Sequence, residues 1–225
     1  MSPGGGVGVL GGTFNPIHLG HLRAAEEVCE ILGLERMVFV PSAEPPHKEG
    51  ERDVLAPASL RCEWTRRAIA DNPRFAVDLL EIERSGPSYS VDTLRRFGER
   101  LAPEKPIFVI GEDAFAEIET WREPSTLFTL SHFAVITRPP GRGGRLAEQL
   151  PASLAPQFDL DQGGELGRHR TAQTWIRRIR VSALDVSGTD IRRRIREGRS
   201  VRYLIPEAVR REVIESGIYR ARNRA

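Results

Sequence analysis

The chain is poor in cysteine and contains no long apolar run. Its two cysteines, Cys29 and Cys62, form no CxxC pair, so we expect neither a disulfide framework nor a zinc cluster. No apolar stretch approaches the roughly 20 residues that a membrane helix needs. The first residues, 1–6, show neither the basic nor the apolar part of a signal peptide. These absences favour a cytoplasmic protein with no membrane partner.

Lysine is also scarce, because Lys48 and Lys105 are the two lysines among 33 basic residues. The formal net charge is only +2, which gives no general basic footprint for nucleic acid. Arg193, Arg194 and Arg196 form a local basic run, but the solvated face of a helix explains them better than nucleic-acid binding does. We therefore predict no nucleic-acid partner.

Two common phosphate-binding motifs are excluded. No GxxxxGK[ST] sequence occurs, so the chain is not a P-loop protein. Residues 6–11 match GxGxxG, but only five residues precede the match and it lies inside a predicted strand. The dinucleotide fingerprint must instead follow a strand and open a helix. The phosphate-binding loop therefore has to lie elsewhere.

Apolar runs alternate with helical patterns along most of the chain. This alternation predicts an α/β fold with a Rossmann-like parallel sheet, helices on both faces and a C-terminal helical segment. In such sheets, ligands bind beyond the carboxyl ends of the strands. The predicted strands are Val7–Leu10, Arg36–Val40, Phe75–Val77, Pro106–Gly111 and Phe133–Thr137, and the predicted helices are Leu19–Leu32, Leu60–Ala70 and one that Ser90 caps.

We predict a single domain over residues 1–225. Within it, 141–180 is polar and has little periodicity, which we interpret as an insertion with a strand near 176–181. Residues 186–225 return to a helical pattern. It covers 190–196 and then a helix with Pro206 at its first position, where proline is well tolerated.

The segment Gly11–His21 carries the strongest chemical signal. Gly11 and Gly12 allow a sharp turn and close approach to a ligand. His18 and His21 are spaced i, i+3, so they share a face at a helix start. A helix N-terminus already attracts anions, and two imidazoles there favour a polyphosphate site.

Two other interpretations of the histidines remain open at this point. His18 could cap a helix while His21 is half-buried, with no ligand at all. A zinc site is the third interpretation, but His47 would have to complete it from another loop and no acidic or cysteine ligand lies nearby.

The segment Gly11–His21 resembles the HxGH-type signature of the nucleotidylyltransferase superfamily. The second half of that signature, a Ser/Thr-rich turn followed by Ile-Arg, is matched by Val186–Arg192. Gly188 departs from it, because it replaces a serine of the turn. Asn15 also departs, since aspartate is commoner at its position.

Further segments resemble the nicotinate-nucleotide adenylyltransferase family in particular. The resemblance covers nearly the whole chain except 141–180, although Ser90 stands where threonine is usual. The matching segments are Pro45–Lys48, Ser88–Thr93, Gly111–Asp113 with Trp121, and Tyr203–Pro206.

The resemblance implies transfer of AMP from ATP to nicotinate mononucleotide, which gives deamido-NAD and pyrophosphate. Mg²⁺ is implied mainly on the ATP phosphates, with no metal site of the protein's own. The implied catalytic residues are His18, His21 and Arg192. The implied ATP-binding residues are Gly11, Gly12, Thr13, Phe14, Gly111, Asp113, Ser187 and Thr189. The implied acceptor-binding residues are His47, Lys48, Ser88, Tyr89, Ser90, Thr93 and Trp121.

Two alternatives to this function are kept. One is an adenylyltransferase for nicotinamide mononucleotide or another phosphate acceptor, such as a phosphopantetheine. The other is a nucleotide-binding module without catalysis. The oligomeric state is not predicted by the sequence.

Overall fold

A computed structural model describes residues 5–44, 55–137, 144–182 and 184–221. His47 and Lys48, both assigned to acceptor binding, lie outside the described residues. Within these ranges no helix is long and apolar enough to cross a membrane.

The described residues contain one sheet of eight strands. Its order is β3-β2-β1-β4-β5-β8-β7-β6. The first six strands of this order pair in parallel, and β7 and β6 add antiparallel pairs at one edge. The strands are β1 (Val7–Gly12), β2 (Arg36–Pro41), β3 (Phe75–Val77), β4 (Ile107–Gly111), β5 (His132–Thr137), β6 (Phe158–Leu160), β7 (Leu166–His169) and β8 (Trp175–Arg180).

Helices cover both faces of this sheet, which confirms the predicted α/β class. Val9 and Leu10, neighbours on β1, belong to two different apolar clusters, because successive strand residues face opposite sides. The described helices are α1 (Leu19–Leu32), α2 (Ala58–Ala68), α3 (Leu80–Glu83), α4 (Ser90–Leu101), α5 (Glu112–Phe115), α6 (Pro124–Leu130), α7 (Leu146–Gln149), α8 (Gly188–Arg196) and α9 (Glu207–Glu215).

The longer helices divide between the two apolar clusters and so pack on opposite faces of the sheet. Residues of α1, α2 and α9, including Val28, Trp64 and Val209, are buried in one cluster. Residues of α4 and α6, including Leu94 and Leu127, are buried in the other. Parallel strands with helices on both sides leave their carboxyl ends as the open edge of the sheet.

Helix starts differ slightly from the sequence predictions. Tyr89, not Ser90, occupies the N-cap position of α4, so Ser90 is the first helical residue. Pro206 is likewise the N-cap of α9 and not its first helical residue. Helix α8 begins at Gly188, two residues before the predicted start at Asp190. Such shifts are expected, because helix ends are set by local contacts more than by periodicity.

The prediction for 141–180 has two parts. The strand near 176–181 is present as β8, whereas the described residues from 144 onward join the sheet and its core and do not stand outside them as a polar insertion. Strand β8 pairs in parallel with β5, with Ile176 opposite Phe133. The segment also buries Leu146 and Phe158 in an apolar cluster. Arginines interrupt its apolar period, as in Trp175–Arg180. Long arginine stems can line a partly buried strand while their charged ends reach water, so a segment rich in arginine can still belong to the sheet.

Candidate active site

The candidate site lies at the carboxyl ends of the parallel strands, where the segment Gly11–His21 follows β1. Strands β1 and β4 are neighbours, with Leu10 opposite Val109, so the segments that follow them lie side by side. Two cavities open there. They share the lining residues Gly11, Phe108, Ala114 and Trp121, which makes them adjoining compartments of one site.

The first compartment has a volume of about 290 Å³. It brings together residues from both halves of the signature, although they are far apart in the chain. His18 and His21 line it at the start of α1, and Ser187 and Gly188 line it at the start of α8. Gly111, another predicted residue, lines it from the end of β4.

The two histidines form a compact pair at the start of α1. Their rings stack with centroids 3.6 Å apart. The backbone N–H of His18 donates to Nδ1 of His21 at 3.2 Å. An Nδ1 atom that accepts this bond leaves the proton of a neutral imidazole on Nε2. His21 therefore presents an N–H donor of the kind that a phosphate oxygen accepts.

Glycines make room for the rings around this pair. A Cβ atom on Gly20 would lie 3.1 Å from Nδ1 of His18, and one on Gly12 would lie 2.9 Å from the ring of Phe14. Phe14 itself has a φ of 46° and is buried, with its ring at the edge of His21. Its side chain supports the site from the core, so only its backbone is left for the predicted role near ATP.

Arg192 ties the two halves of the signature together. Its guanidinium is buried and donates from Nη1 to the carbonyl oxygen of Asn15 at 2.9 Å. It also donates from Nη2 to Oγ1 of Thr189 at 3.2 Å. A Cβ on Gly188 would lie 3.0 Å from that same Asn15 oxygen. The close approach explains why glycine suits position 188, where the superfamily signature has serine.

The remaining polar groups at the start of α8 are arranged as a helix cap and a solvated face. Oγ of Ser187 accepts from the backbone N–H of Asp190 at 3.1 Å. Asp190 forms ion pairs with Arg193 and with Arg194, the latter at 2.6 Å. These pairs lower the pKa of the Asp190 carboxyl.

The second compartment has a volume of about 320 Å³. It holds most of the described residues that the sequence assigned to the acceptor. Trp121 lies edge-on to Phe108, with ring centroids 6.3 Å apart. The guanidinium of Arg122 lies over the ring of Tyr89 at 4.8 Å. The residues of the predicted site that line this compartment are Gly11, Gly12, Thr13, Ser88, Tyr89, Ser90 and Trp121.

A buried carboxyl group, Glu81, also lines this compartment and was missed by the sequence predictions. Its Oε1 accepts from Oγ1 of Thr93 at 2.6 Å. Burial raises the pKa of Glu81, although hydrogen bonds from Thr93 and Ser88 oppose this. Thr93 is itself buried and does not line either compartment. Its hydroxyl is therefore placed to hold Glu81, not to contact an acceptor.

The predicted ATP residues Phe14, Thr189 and Asp113 line neither compartment. Asp113 lies on α5. Its side chain is exposed in the first turn of this helix.

Glu81 and Arg122 had only weak sequence signals, because a glutamate in a short helix and an arginine beside a tryptophan are common on protein surfaces. In the part of the chain described, no group of three or more His, Cys, Asp or Glu residues could hold a metal ion.

Comparison with known proteins agrees with this geometry. The cytidylyltransferase-like family model matches residues 9–194, a range that includes both halves of the signature. A protein of Geobacter metallireducens, named probable nicotinate-nucleotide adenylyltransferase, is 42% identical over 95% of this chain and 97% of its own length. The chain belongs to the nicotinate-nucleotide adenylyltransferase family. The family resemblance predicted from the sequence is thereby confirmed.

Other members of the nicotinate-nucleotide adenylyltransferase family match over similar lengths. A protein of the same name from Rubrobacter xylanophilus is 40% identical over 96% of this chain and 92% of its own length. Among solved structures, nicotinic acid mononucleotide adenylyltransferase of Plasmodium falciparum complexed with NaAD has a TM-score of 0.73 and covers 96% of this chain and 98% of its own. It is 15% identical, so this likeness shows the shared fold alone.

Proposed function

We propose that this chain transfers the AMP part of ATP to the phosphate of nicotinate mononucleotide, giving deamido-NAD and pyrophosphate. One observation carries the proposal. The stacked pair His18–His21 and the start of α8 line one compartment, Trp121 and the start of α4 line the next, and the two adjoin at Gly11. Two nucleotides in these compartments would meet at the loop after β1.

In the proposed reaction, an acceptor phosphate oxygen attacks the α-phosphorus of ATP in line, and pyrophosphate leaves. One P–O bond forms as another breaks, so the protein's task is placement and charge stabilisation. Nε2–H of His21 and the backbone N–H groups at the start of α8 suit the ATP phosphates. A well-placed donor of this kind is worth about 3 kcal/mol in the transition state.

Mg²⁺ enters this proposal with ATP, on whose phosphates it offsets negative charge. The residues around the first compartment fit such an arrangement, because His18, His21 and Ser187 offer donors for phosphate oxygens and no acidic cage. The hydrogen bonds from Arg192 to Asn15 and Thr189 support a role for this arginine in holding the signature loop and the start of α8 in place.

The start of α4 supports nicotinate as the acceptor's base. Ser90 and Val91 line the second compartment in the first turn of this helix, where backbone N–H groups have no intrahelical acceptor. Together with the helix dipole they favour a carboxylate over a neutral amide. Trp121, half-buried in the same compartment, offers a flat surface for the pyridine ring.

The test is pyrophosphate release with ATP, Mg²⁺ and one acceptor at a time. We expect turnover with nicotinate mononucleotide, slower turnover with nicotinamide mononucleotide, and none with phosphopantetheine. His21→Ala should lower kcat about 100-fold or more, within the range measured for loss of one such donor. Equal turnover of all acceptors would contradict the acceptor assignment. ATP binding without turnover of any acceptor would leave only the nucleotide-binding alternative.

A further inference from the structure

A fully buried arginine on α2, Arg61, is used by neither compartment. Its relative exposure is 0%, and it lines neither cavity. All three of its nitrogens donate to backbone carbonyl oxygens. Nε donates to Ala56 at 2.9 Å, Nη1 to Thr13 at 2.6 Å and Nη2 to Ala43 at 3.2 Å.

These carbonyl groups belong to segments that shape the site. Thr13 lies in the loop after β1 and lines the second compartment. Ala43 follows β2, and its N–H donates to Oγ of Ser88 at 3.0 Å. Ser88 lines the same compartment. One guanidinium therefore fixes two separate stretches of backbone on the acceptor side.

The third contact extends the link to the signature loop. Ala56 accepts from Arg61, and its own N–H donates to Oδ1 of Asn15 at 3.1 Å. The carbonyl oxygen of Asn15 in turn accepts a hydrogen bond from Nη1 of Arg192. The loop between β1 and α1 is thus held at Thr13 by one buried arginine and at Asn15 by another.

Burying the charge of Arg61 costs folding free energy, so its position calls for a reason such as the placement of the backbone that it contacts. Burial lowers the pKa of the Arg61 guanidinium, which reflects the loss of water around its charge. Replacing buried charged groups by apolar residues of similar volume is often neutral or stabilising, so stability alone is a weak reason for this arginine. A planar fork with several donors can hold carbonyls in different directions, which a lysine ammonium cannot do as rigidly.

We propose that Arg61 is a positioning residue for the acceptor. It sets the backbone of Thr13 and of Ala43 and so fixes the walls of the second compartment without touching substrate. The identity of the acceptor rests on the proposed function, whereas the placement of the two backbone segments does not.

The first measurement is hydrogen exchange of the protein without substrates, in Arg61→Lys and Arg61→Met. Arg66 lies on the same helix and is exposed, so Arg66→Lys and Arg66→Met are matched controls. We expect peptides covering 12–15 and 42–44 to exchange about tenfold faster in both Arg61 variants, because donors of charged hydrogen bonds are lost. Peptides from β4 and β5 should be unchanged. Unchanged exchange at both segments, or faster exchange everywhere in both variants, would overturn the proposal.

The second measurement is steady-state kinetics of the same variants. The KM of nicotinate mononucleotide should rise about tenfold in Arg61→Lys while the KM of ATP stays within about twofold, because Thr13 and Ser88 line the acceptor compartment and not the other. Equal changes in both KM values would mean that Arg61 has a structural role only, and would refute the proposal. If the unmodified protein fails to turn over nicotinate mononucleotide, the proposed function fails, and the exchange experiment still decides the role of Arg61.

Discussion

At the residue scale, the arrangement of the pair His18–His21 depends on a glycine at position 20, which has no side chain. Gly20 is the second residue of α1, and a Cβ there would lie 3.1 and 3.2 Å from Nδ1 and Cε1 of His18. Contacts this short force the ring to move. The pair is therefore fixed by steric fit as well as by the hydrogen bond between His18 and His21.

Gly20→Ala should lower kcat about tenfold or more by displacing the His18 ring, since small misplacements of a catalytic group are costly. Gly98→Ala is the matched control. Gly98 is also helical, and nothing lies within 4 Å of a Cβ at that position. That substitution should leave kcat unchanged and raise the free energy of unfolding by up to about 1 kcal/mol. Equal kinetics for the two variants would show that His18 tolerates the shift.

Asn15 departs from the family's commoner aspartate at a buried position. Its Oδ1 accepts from the N–H of Ala56 and from the hydroxyl of Tyr219. An aspartate oxygen accepts equally well, so Asn15→Asp should keep activity within about threefold. Asn15→Leu leaves two buried donors without a partner, each costing about 1–3 kcal/mol. Urea unfolding should show that the free energy of unfolding of the leucine variant is lower by at least about 2 kcal/mol. A smaller decrease would mean that water takes the place of Oδ1 as the acceptor.

At the scale of elements, the start of β5 contains a histidine that stays neutral. His132 stacks on Trp175 with centroids 4.8 Å apart and accepts the N–H of Trp175 on Nδ1 at 3.1 Å. Burial, aided by the charge of Lys105, lowers the pKa of His132 to about 4. The unfolded chain, with an ordinary pKa near 6.5, therefore binds a proton first as the pH falls.

The free energy of unfolding should accordingly fall between about pH 6.5 and pH 4 and level off on either side as far as this group is concerned. At about 1.4 kcal/mol per pKa unit, reduced for partial exposure, the loss is about 2 kcal/mol. His132→Asn keeps an acceptor for Trp175 and does not titrate there. Denaturant unfolding across this pH window should show a shallower slope in that variant, and an identical slope would refute the assignment.

The element that the sequence interpreted as a polar insertion should behave as core. Phe158 on β6 is buried against the ring of Phe128, with centroids 5.3 Å apart. In denaturant unfolding, Phe158→Ala should lower the free energy of unfolding by about 3–5 kcal/mol, as for other buried aromatic residues. Leu160 lies on the same strand and is 39% exposed, so Leu160→Ala should cost less than about 1 kcal/mol. Similar costs for both would mean that this edge of the sheet opens on its own.

At the scale of the whole molecule, both thiols are enclosed by the fold. Cys29 and Cys62 are free and buried, and burial raises the pKa of Cys29 to about 11. Thiolates are the reactive species, so an aromatic disulfide reagent should modify the native protein only as fast as it unfolds. In denaturant, both thiols should react at once. A thiol that reacts quickly in the native protein would reveal local opening beside α1 or α2.

The sequence by itself determined the fold class and the chemical character of the site. Strand and helix periods are local properties, and the histidines, glycines and serine-rich turn stand at short fixed spacings within Gly11–His21 and Val186–Arg192. Such patterns report directly on backbone conformation and on the groups available to phosphate. They were enough to predict a parallel sheet and a polyphosphate site after β1.

Only the tertiary structure decided how these pieces contact one another. The bond from Arg192 to Asn15 joins residues 177 positions apart, and that from Arg61 to Thr13 spans 48. No spacing in the sequence specifies which backbone carbonyl meets which guanidinium. The same holds for Glu81 in the wall of the acceptor compartment and for β6 and β7 at the edge of the sheet. Their roles come from burial and from partners that folding alone brings within hydrogen-bonding distance.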